Sequence, residues 1–239
     1  MFRAVKQKLE RMKGERALRQ ARRSSPRFCD YLRSHGVEVG QGTFIDSETA
    51  FIDITRPSLV TIGDNCYINR NFTLLTHDYV SKVFLYSGRD FVNSSGHVTI
   101  GNNVSFGHDV TVLKGVTIGD DCFIGAGSVV TRDIPSGSVA VGSPCKVVCT
   151  VEDYYRRRLE ASEAEAFEFA RSIVARFGRR PVAGDFPEEF PLFVSGSEVA
   201  DYPMLPIRSQ LGPSYNRYVQ EHVAPYHGLD EFLKAAGIE

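Results

Sequence analysis

Large apolar residues recur at every sixth position through the middle of the chain. Counted from residue 100, the first position of each block of six holds Ile100, Phe106, Val112, Ile118, Ile124 and Val130. The fifth position holds smaller residues, namely Val104, Val110, Val116, Cys122, Ser128 and Ile134. A helix repeats its apolar face every 3.6 residues and a half-buried strand every second residue. A period of six, with turn formers inside the blocks, therefore predicts short strands joined by regular corners.

Three such blocks close one triangular coil, and successive coils stack as parallel strands about 4.8 Å apart. The first-position side chains then point inward and form a continuous apolar ladder. The pattern predicts a mainly β fold, a parallel β-helix with its core inside the coils.

The same period occurs earlier in the chain, less regularly. Its inward positions are Val39, Ile45, Phe51, Ile62, Ile68 and Leu74. The frame slips by one residue near Pro57, breaks after Leu74 and returns near Val98. Residues 78–97 are too many for a corner, so they are predicted to form a loop extruded from the β-helix. Loops on rigid scaffolds often carry function.

The repeat divides the chain into three segments. Residues 1–36 are predicted to be an N-terminal helical segment, and residues 37–149 the β-helix with its extruded loop. Residues 150–239 are predicted to be a C-terminal α-helix followed by an irregular extension. Thr150 and Asp153 have the spacing of a capping pair at the start of that helix.

Charge and hydropathy narrow the range of partners. The net charge of the 239 residues is −1, but residues 1–33 hold eleven Lys and Arg against three Asp and Glu. This basic segment can contact an anionic membrane surface or form a solvated helix face, and both interpretations stay open. No apolar run approaches ~18 residues, so no transmembrane helix is expected. The N-terminus lacks the apolar core of a secretory signal, and no nucleic-acid partner is expected.

The cysteines indicate a reducing compartment. Their number is odd and no two form a CxxC pair; they are Cys29, Cys66, Cys122, Cys145 and Cys149. Cys66 and Cys122 fall at small inward positions of the repeat. We therefore expect them to be buried, reduced thiols in a cytoplasmic protein.

His77 is the strongest candidate for chemistry. It follows the inward Leu74 by three residues, which places it at a corner where the extruded loop begins. An imidazole there can take a proton from a hydroxyl, or it can simply face solvent. His97 at the end of the loop and His108 at another corner can line the same cleft. The three histidines are neither paired at short spacing nor separated by whole coils, so no metal site is expected.

Backbone amides and cations gather near the end of the repeat. The runs GAGSVVTRD and GSPCKVV contain Thr131, Arg132 and Lys146. Such donors suit a ligand with phosphate groups. They fit equally well the polar cap of a solenoid.

These runs together resemble the hexapeptide-repeat acyltransferases. The stretch from IGNNVS to GSPCKVV, with NFTLLTHDY before it, is most similar to one branch of that family. The branch contains galactoside, maltose and xenobiotic acetyltransferases and many polysaccharide O-acetyltransferases. The resemblance covers roughly residues 37–150. It implies a left-handed parallel β-helix and a homotrimer whose active sites lie between adjacent β-helices.

The resemblance also implies acetyl-CoA as co-substrate and assigns roles to single residues. His77 matches the family's general base. Asn71 matches a polar position near the acceptor. From their places at the loop and the corners, His97, His108 and Asp78 are also expected at the acceptor, and Asp78 or another carboxylate can orient the His77 ring. The residues expected at acetyl-CoA are Gly125 and Ala126 along the pantetheine arm and Thr131, Arg132 and Lys146 near the nucleotide.

The expected reaction is direct transfer of an acetyl group from acetyl-CoA to a hydroxyl of a sugar or polysaccharide precursor. One alternative is N-acetylation of an amino sugar or nucleotide sugar. Others are a zinc-dependent hydratase of the carbonic anhydrase type and a non-catalytic structural solenoid. The histidine spacing argues against the hydratase, and the extruded loop with GAGSVVTRD argues against the scaffold.

Overall fold

The computed structural model describes residues 2–239, with side chains from residue 12 onward. The chain divides into two compact units, residues 1–155 and residues 156–239. The helices are, in chain order, α1 (Phe2–Ala21), α2 (Ser25–Ser34), α3 (Val80–Tyr86), α4 (Val151–Phe177), α5 (Ile207–Leu211), α6 (Tyr215–Glu221) and α7 (Gly228–Ala235). The predicted three-segment division at residues 36 and 149 stays a prediction.

The first unit contains a series of short strands. In chain order they are β1 (Glu38–Val39), β2 (Phe44–Ile45), β3 (Phe51–Ile52), β4 (Val60–Ile62), β5 (Tyr67–Ile68), β6 (Thr73–Leu74), β7 (Val98–Ile100), β8 (Ser105–Phe106), β9 (Thr111–Val112), β10 (Thr117–Ile118), β11 (Phe123–Ile124), β12 (Val129–Val130), β13 (Ser138–Val141) and β14 (Lys146–Thr150).

These strands form three sheets. The first sheet holds β1, β4, β7 and β10, and the third holds β3, β6, β9 and β12. The second holds β2, β5, β8, β11, β13 and β14. Neighbouring strands are parallel, except that β14 runs antiparallel to β13. The sheets are the three faces of a left-handed parallel β-helix, so the predicted fold is confirmed.

The interior of the coils is the core of the first unit. Every first-position residue from Ile100 to Val130 is at most 1% exposed, and every fifth-position residue from Val104 to Ile134 is at most 4% exposed. Burial of this apolar ladder is the main favourable contribution to folding. The six-residue pattern is therefore confirmed in this region.

In the first coil, the predicted frame was wrong by one residue. Phe51 is 50% exposed, whereas Ile52 is 5% exposed and pairs with Leu74 of the next coil. The extra residue lies in the corner before β3. There the Asp46 carboxylate accepts hydrogen bonds from the backbone N–H and the hydroxyl of Thr49. The frame thus slips by one residue before this strand, and after it the ten-residue spacing from Ile52 to Ile62 again exceeds one block of six.

Residues in the left-handed conformation close the corners. One stack of corners has Asn65, Asn103 and Asp121 at φ of 55°, 55° and 56°, and another has Asn71 and Asp109 at 59° and 61°. Asn and Asp visit this conformation more readily than other residues with a side chain. Stacked corners also bond each other, since Asn71 Nδ2 donates to Asp109 Oδ1 at 2.8 Å.

Helix α2 closes the end of the β-helix at its first coil. Three of its side chains join the same buried core, namely Phe28, Cys29 and Leu32. Two basic side chains bind backbone carbonyls of the first coil. Arg22 donates to Ala50 at 3.0 Å, and the Nε of Arg33 donates to Val39 at 2.8 Å. These two arginines therefore serve the fold.

Membrane contact was predicted for residues 1–33. The side chains of residues 1–11 lie outside the described part of the structure. Where side chains are described, Arg22 and Arg33 bind the first coil, and the contact stays a prediction. Across the described residues, no helix has both the length and the apolar character that crossing a bilayer requires.

Helix α4 begins at the predicted capping pair. The hydroxyl of Thr150 accepts a hydrogen bond from the Asp153 N–H at 3.0 Å, which satisfies a free donor of the first turn. The second unit has a separate core of aromatic rings. Phe186, Phe193 and Phe232 are fully buried, and their ring centroids lie 5.4 to 5.9 Å apart.

The corrected frame predicts unequal costs for two adjacent substitutions. Ile52→Ala should lower the free energy of unfolding by about 2–5 kcal/mol, because it leaves a cavity in the ladder. Phe51→Ala should cost roughly 1 kcal/mol or less, because that ring is already half in solvent. Urea unfolding of both variants measures the difference. The reverse order would show that Phe51 points inward.

Candidate active site

One column of corners joins the third sheet to the first, and we name it the His77 corner. Asp53 follows β3 directly, residues 75–77 follow β6, residues 113–114 follow β9 and residues 131–132 follow β12. The strands β3, β6, β9 and β12 pair in register, so the segments that leave them stack above one another. Residues distant in sequence therefore meet at this corner.

The central contact of the His77 corner joins an imidazole to a carboxylate. His77 Nδ1 lies 2.7 Å from Asp53 Oδ2, and the two side chains are 16% and 2% exposed. Because an ionised carboxylate can only accept hydrogen bonds, we infer that Nδ1 carries the hydrogen. In the neutral ring, Nε2 is then left with its lone pair. That tautomer is the one a base acting through Nε2 requires.

Asp53 is surrounded by donors. Its Oδ1 accepts from the Thr55 N–H at 2.9 Å and the Thr55 hydroxyl at 2.6 Å. Its Oδ2 accepts from the Thr76 N–H at 3.1 Å and the Thr76 hydroxyl at 2.5 Å. Burial alone would raise the pKa of Asp53, but the bonds from Thr55 and Thr76 outweigh it and hold this pKa well below its ordinary value. Asp53 is therefore ionised near neutral pH.

A cavity of about 290 Å³ opens beside the imidazole. Its lining residues are Phe51, Asp53, Thr55, Leu75, His77, Asp78 and Tyr79. Tyr79 packs edge-on against His77, with ring centroids 5.3 Å apart. The imidazole thus lies between apolar rings and a few polar groups, as in sites that bind small organic molecules.

Other predicted site residues also lie at the His77 corner. Asp78 lines the cavity, but its carboxylate binds Lys114 Nζ at 2.8 Å, and the carboxylate that orients His77 is that of Asp53. His97 is exposed at the end of the extruded loop. Thr131 and Arg132 are exposed two coils beyond Asp78 along the same column. Their roles as ligands stay predictions.

Four predicted residues lie at a different corner, between the second and third sheets. Asn71 follows β5, His108 follows β8, and Gly125 and Ala126 follow β11. Within one chain, this corner is separated from the His77 corner by the width of the third sheet. The structure therefore does not bring these four residues together with His77. Lys146 lies on a third feature, the edge strand β14 of the second sheet.

The other candidate chemistries of this chain are thiol chemistry and metal binding. All five cysteines are free. Burial raises the pKa of the Cys66 and Cys122 thiols, which disfavours the nucleophilic thiolate form. Within the part of the chain that is described, no three His, Cys, Asp or Glu side chains are grouped to hold a metal ion.

Known proteins share the repeat. Residues 97–132 match the family described as bacterial transferase hexapeptide, six repeats. Galactoside O-acetyltransferase of Escherichia coli K12 is 40% identical over 118 residues, which are 49% of this chain and 55% of that protein. Over this region the chain is similar to the hexapeptide-repeat transferases. The chain spans only 55% to 59% of the length of three curated relatives, from E. coli, Bacillus subtilis and Staphylococcus aureus.

Two solved structures are also similar to this chain. A galactoside acetyltransferase in complex with coenzyme A is 30% identical, with 61% of this chain and 82% of that chain covered and a TM-score of 0.46. A maltose O-acetyltransferase from Clostridium difficile 630 is 28% identical, with 59% and 86% covered and a TM-score of 0.44.

Asp53 was not predicted from the sequence of this hexapeptide-repeat chain. If Phe51 were the inward residue, Asp53 would be the second residue of its corner and would not lie beside Leu75. With Ile52 inward, Asp53 is the first residue of its corner, one coil below Leu75 and next to His77. The signal that identifies it is an acidic residue at the same corner as the histidine, one coil earlier.

Asp53→Asn should impair both folding and catalysis. The carboxylate accepts five hydrogen bonds, and an amide cannot accept them all, so a buried donor loses its partner at a cost of about 1–3 kcal/mol. His77 also loses the acceptor that fixes its tautomer, so a reaction that uses Nε2 of His77 as its base should slow by ~10²-fold or more. Urea unfolding and coenzyme A release measure the two effects.

Asp46→Asn is the matched control, because Asp46 accepts the same kind of bonds from Thr49 at another corner. It should lower stability and leave acetyl transfer nearly unchanged. Equal losses of activity in the two variants would remove Asp53 from the site.

The stability that Asp53 contributes should depend on pH. Its pKa is depressed in the folded state, so the contribution is present above the ordinary aspartate pKa and is lost as the pH falls towards the folded pKa. The difference in unfolding free energy between wild type and Asp53→Asn should therefore shrink below about pH 4. A difference that is constant from neutral pH to pH 2 would contradict this.

Proposed function

We propose that this chain is an acyltransferase that moves an acetyl group from acetyl-CoA to a hydroxyl of a sugar or polysaccharide precursor. The observation that carries the proposal is the buried Asp53 carboxylate bonded to His77 Nδ1 beside an open cavity. A histidine held in this way is a general base for a hydroxyl group.

In the proposed reaction, the acceptor hydroxyl gives its proton to Nε2 of His77 as its oxygen attacks the thioester carbonyl. The carbon–sulfur bond then breaks, and the coenzyme A thiolate leaves and takes the proton from the His77 imidazolium, which restores the neutral ring. Asp53 stabilises the imidazolium that forms in between. A backbone N–H of a neighbouring coil stabilises the oxyanion, and one such donor contributes about 2.7–4 kcal/mol. The transfer is direct, so no cysteine takes part.

The acceptor class is proposed from two observations. The E. coli relative, 40% identical over 118 residues, is a galactoside O-acetyltransferase. The cavity beside His77 combines the rings of Phe51 and Tyr79 with polar groups, which suits a molecule that has both hydroxyls and an apolar face. We therefore propose a saccharide acceptor and a role in polysaccharide biosynthesis.

The donor is proposed to lie along the His77 corner. Thr131 and Arg132 are exposed two coils away on the same column, and a cation there suits the phosphates of acetyl-CoA. Lys146, exposed on β14, is proposed near the nucleotide. Acetyl-CoA as donor and five free thiols both fit a cytoplasmic location.

The active unit is proposed to be a homotrimer. His77 lies at one corner of the β-helix, whereas Asn71, His108, Gly125 and Ala126 lie at another. Cyclic symmetry lets one corner of a subunit face a different corner of its neighbour. In such an assembly, the acceptor and the pantetheine arm are held between two chains.

His77→Ala should reduce acceptor-dependent coenzyme A release by ~10²-fold or more, because a general base contributes at least that much. Release from acetyl-CoA is measured with a panel of neutral and amino sugars. His97→Ala and His108→Ala are compared variants and should lose less. Undiminished release in His77→Ala would contradict the mechanism.

The same panel separates the alternative functions. Acetylation of amino sugars alone would indicate N-acetyl transfer. Absence of release with every acceptor, in a protein that does not bind coenzyme A, would contradict the enzyme proposal and favour a structural solenoid.

Mixing two inactive variants tests the trimer. His77→Ala removes the base, and Ala126→Trp blocks the opposite corner, where Ala126 is exposed. If each site uses His77 of one chain and Ala126 of the next, about a quarter of the interfaces in a random mixture are intact. Co-refolded chains should thus regain about a quarter of wild-type activity. No recovery, or full activity of Ala126→Trp alone, would contradict a site shared between chains.

A further inference from the structure

The two ends of the extruded loop meet in a short neck. The Gly96 N–H donates to the Thr76 carbonyl at 3.0 Å, and the Asp78 N–H donates to the Ser94 carbonyl at 3.2 Å. His77 and Ser95 pair between these bonds as an antiparallel bridge. The backbone of His77 is therefore one side of the neck, and its position depends on whether the neck stays closed.

Lys114 contacts both sides of this neck. It lies in the next coil of the His77 corner, on the segment that follows β9. Its Nζ is 2.8 Å from Asp78 Oδ2, and it also donates to the hydroxyl of Ser94. The Ser94 hydroxyl in turn lies 3.2 Å from Asp78 Oδ2. One ammonium group thus joins the two ends of the extruded loop.

Asp78 connects the Lys114 ion pair to the cavity. It is covalently next to His77 on one side and to Tyr79 on the other, and all three residues line the cavity. Its Oδ1 accepts a hydrogen bond from the Val80 N–H at 3.0 Å, at the start of α3. Holding the Asp78 carboxylate therefore holds the imidazole, the aromatic wall and the first turn of the loop helix in one arrangement.

We propose that Lys114 is a positioning residue that keeps the neck of the extruded loop closed and so shapes the acceptor side of the cavity. This inference rests on the proposed function, in which the cavity binds the acceptor. Lys114 acts through Asp78 and Ser94 and does not touch the reacting atoms.

Loss of the Lys114 side chain should affect acceptor binding more than the stability of the fold. The Lys114 and Asp78 side chains are 28% and 45% exposed, and ion pairs this open add little to global stability. Small displacements of catalytic groups, by contrast, have large effects on transfer rates. Loss of Lys114 should therefore leave the folded β-helix intact and be detected at the acceptor.

The kinetic test compares Lys114→Gln with wild type, Lys114→Arg and Lys82→Gln. Lys82 is an exposed lysine of the same loop and serves as the matched control. In Lys114→Gln, KM for the acceptor should rise about tenfold, KM for acetyl-CoA should change less than about twofold, and the urea midpoint should stay the same. Lys114→Arg should recover most of the loss, because its guanidinium can bond both partners. Wild-type KM in Lys114→Gln would overturn the proposal.

Hydrogen exchange separates this inference from the proposed function, because it needs no substrate. Lys114→Gln should speed exchange at the neck amides of Asp78 and Gly96 by about tenfold, while the amides of β10 keep their protection. Unchanged exchange at the neck would overturn the role of Lys114 even in an active enzyme. A wild type that acetylates no acceptor would overturn the proposed function, and the exchange result would still decide whether Lys114 closes the neck.

Discussion

Hydrogen bonds between successive coils hold each strand residue of the β-helix beside one residue of the coil before it. The row formed by β3, β6, β9 and β12 is in register throughout. Since the strands are aligned, the corners that follow them are aligned as well. Asp53, His77 and Lys114 come from three successive coils, and they meet because of this register. The site is thus a product of the same stacking that buries the apolar ladder.

The corner also explains how a charge can be buried inside a β-helix. A carboxylate removed from water is costly unless donors replace the water. Thr55 and Thr76 supply four donors to Asp53, two from backbone and two from hydroxyls, and His77 supplies the fifth. The buried charge in turn fixes the imidazole tautomer. The stability of this corner and the orientation of the His77 ring therefore come from one set of hydrogen bonds.

The regular part of the fold could be predicted because each inward position from Ile100 to Val130 has an unambiguous apolar residue. The first coil could not be predicted in the same way. Phe51 and Ile52 are both large and apolar, and an extra residue in the preceding corner decides which of them points inward. The pattern alone contains no measure of corner length.

The candidate site was predictable to the extent that it depends on the break in the repeat. His77 could be found because the repeat breaks after Leu74 and His77 lies three residues beyond that break. Its partner Asp53 could not, because the misplaced frame of the first coil moved it off the corner. The separation of Asn71 from His77 does follow from the period, since the third sheet lies between the two residues. Closure of the loop neck by Lys114 depends on side-chain contacts that no repeat pattern contains.

The protonation state of the His77 ring is the most direct test of the account. Nitrogen-15 NMR of histidine-labelled protein, with His77 assigned by comparison with His77→Gln, distinguishes the two neutral tautomers. In the neutral ring, the hydrogen bond to Asp53 predicts a hydrogen on Nδ1 and a free lone pair on Nε2. A neutral ring with its hydrogen on Nε2 would contradict the account, because His77 could not then accept a proton from an acceptor at that atom.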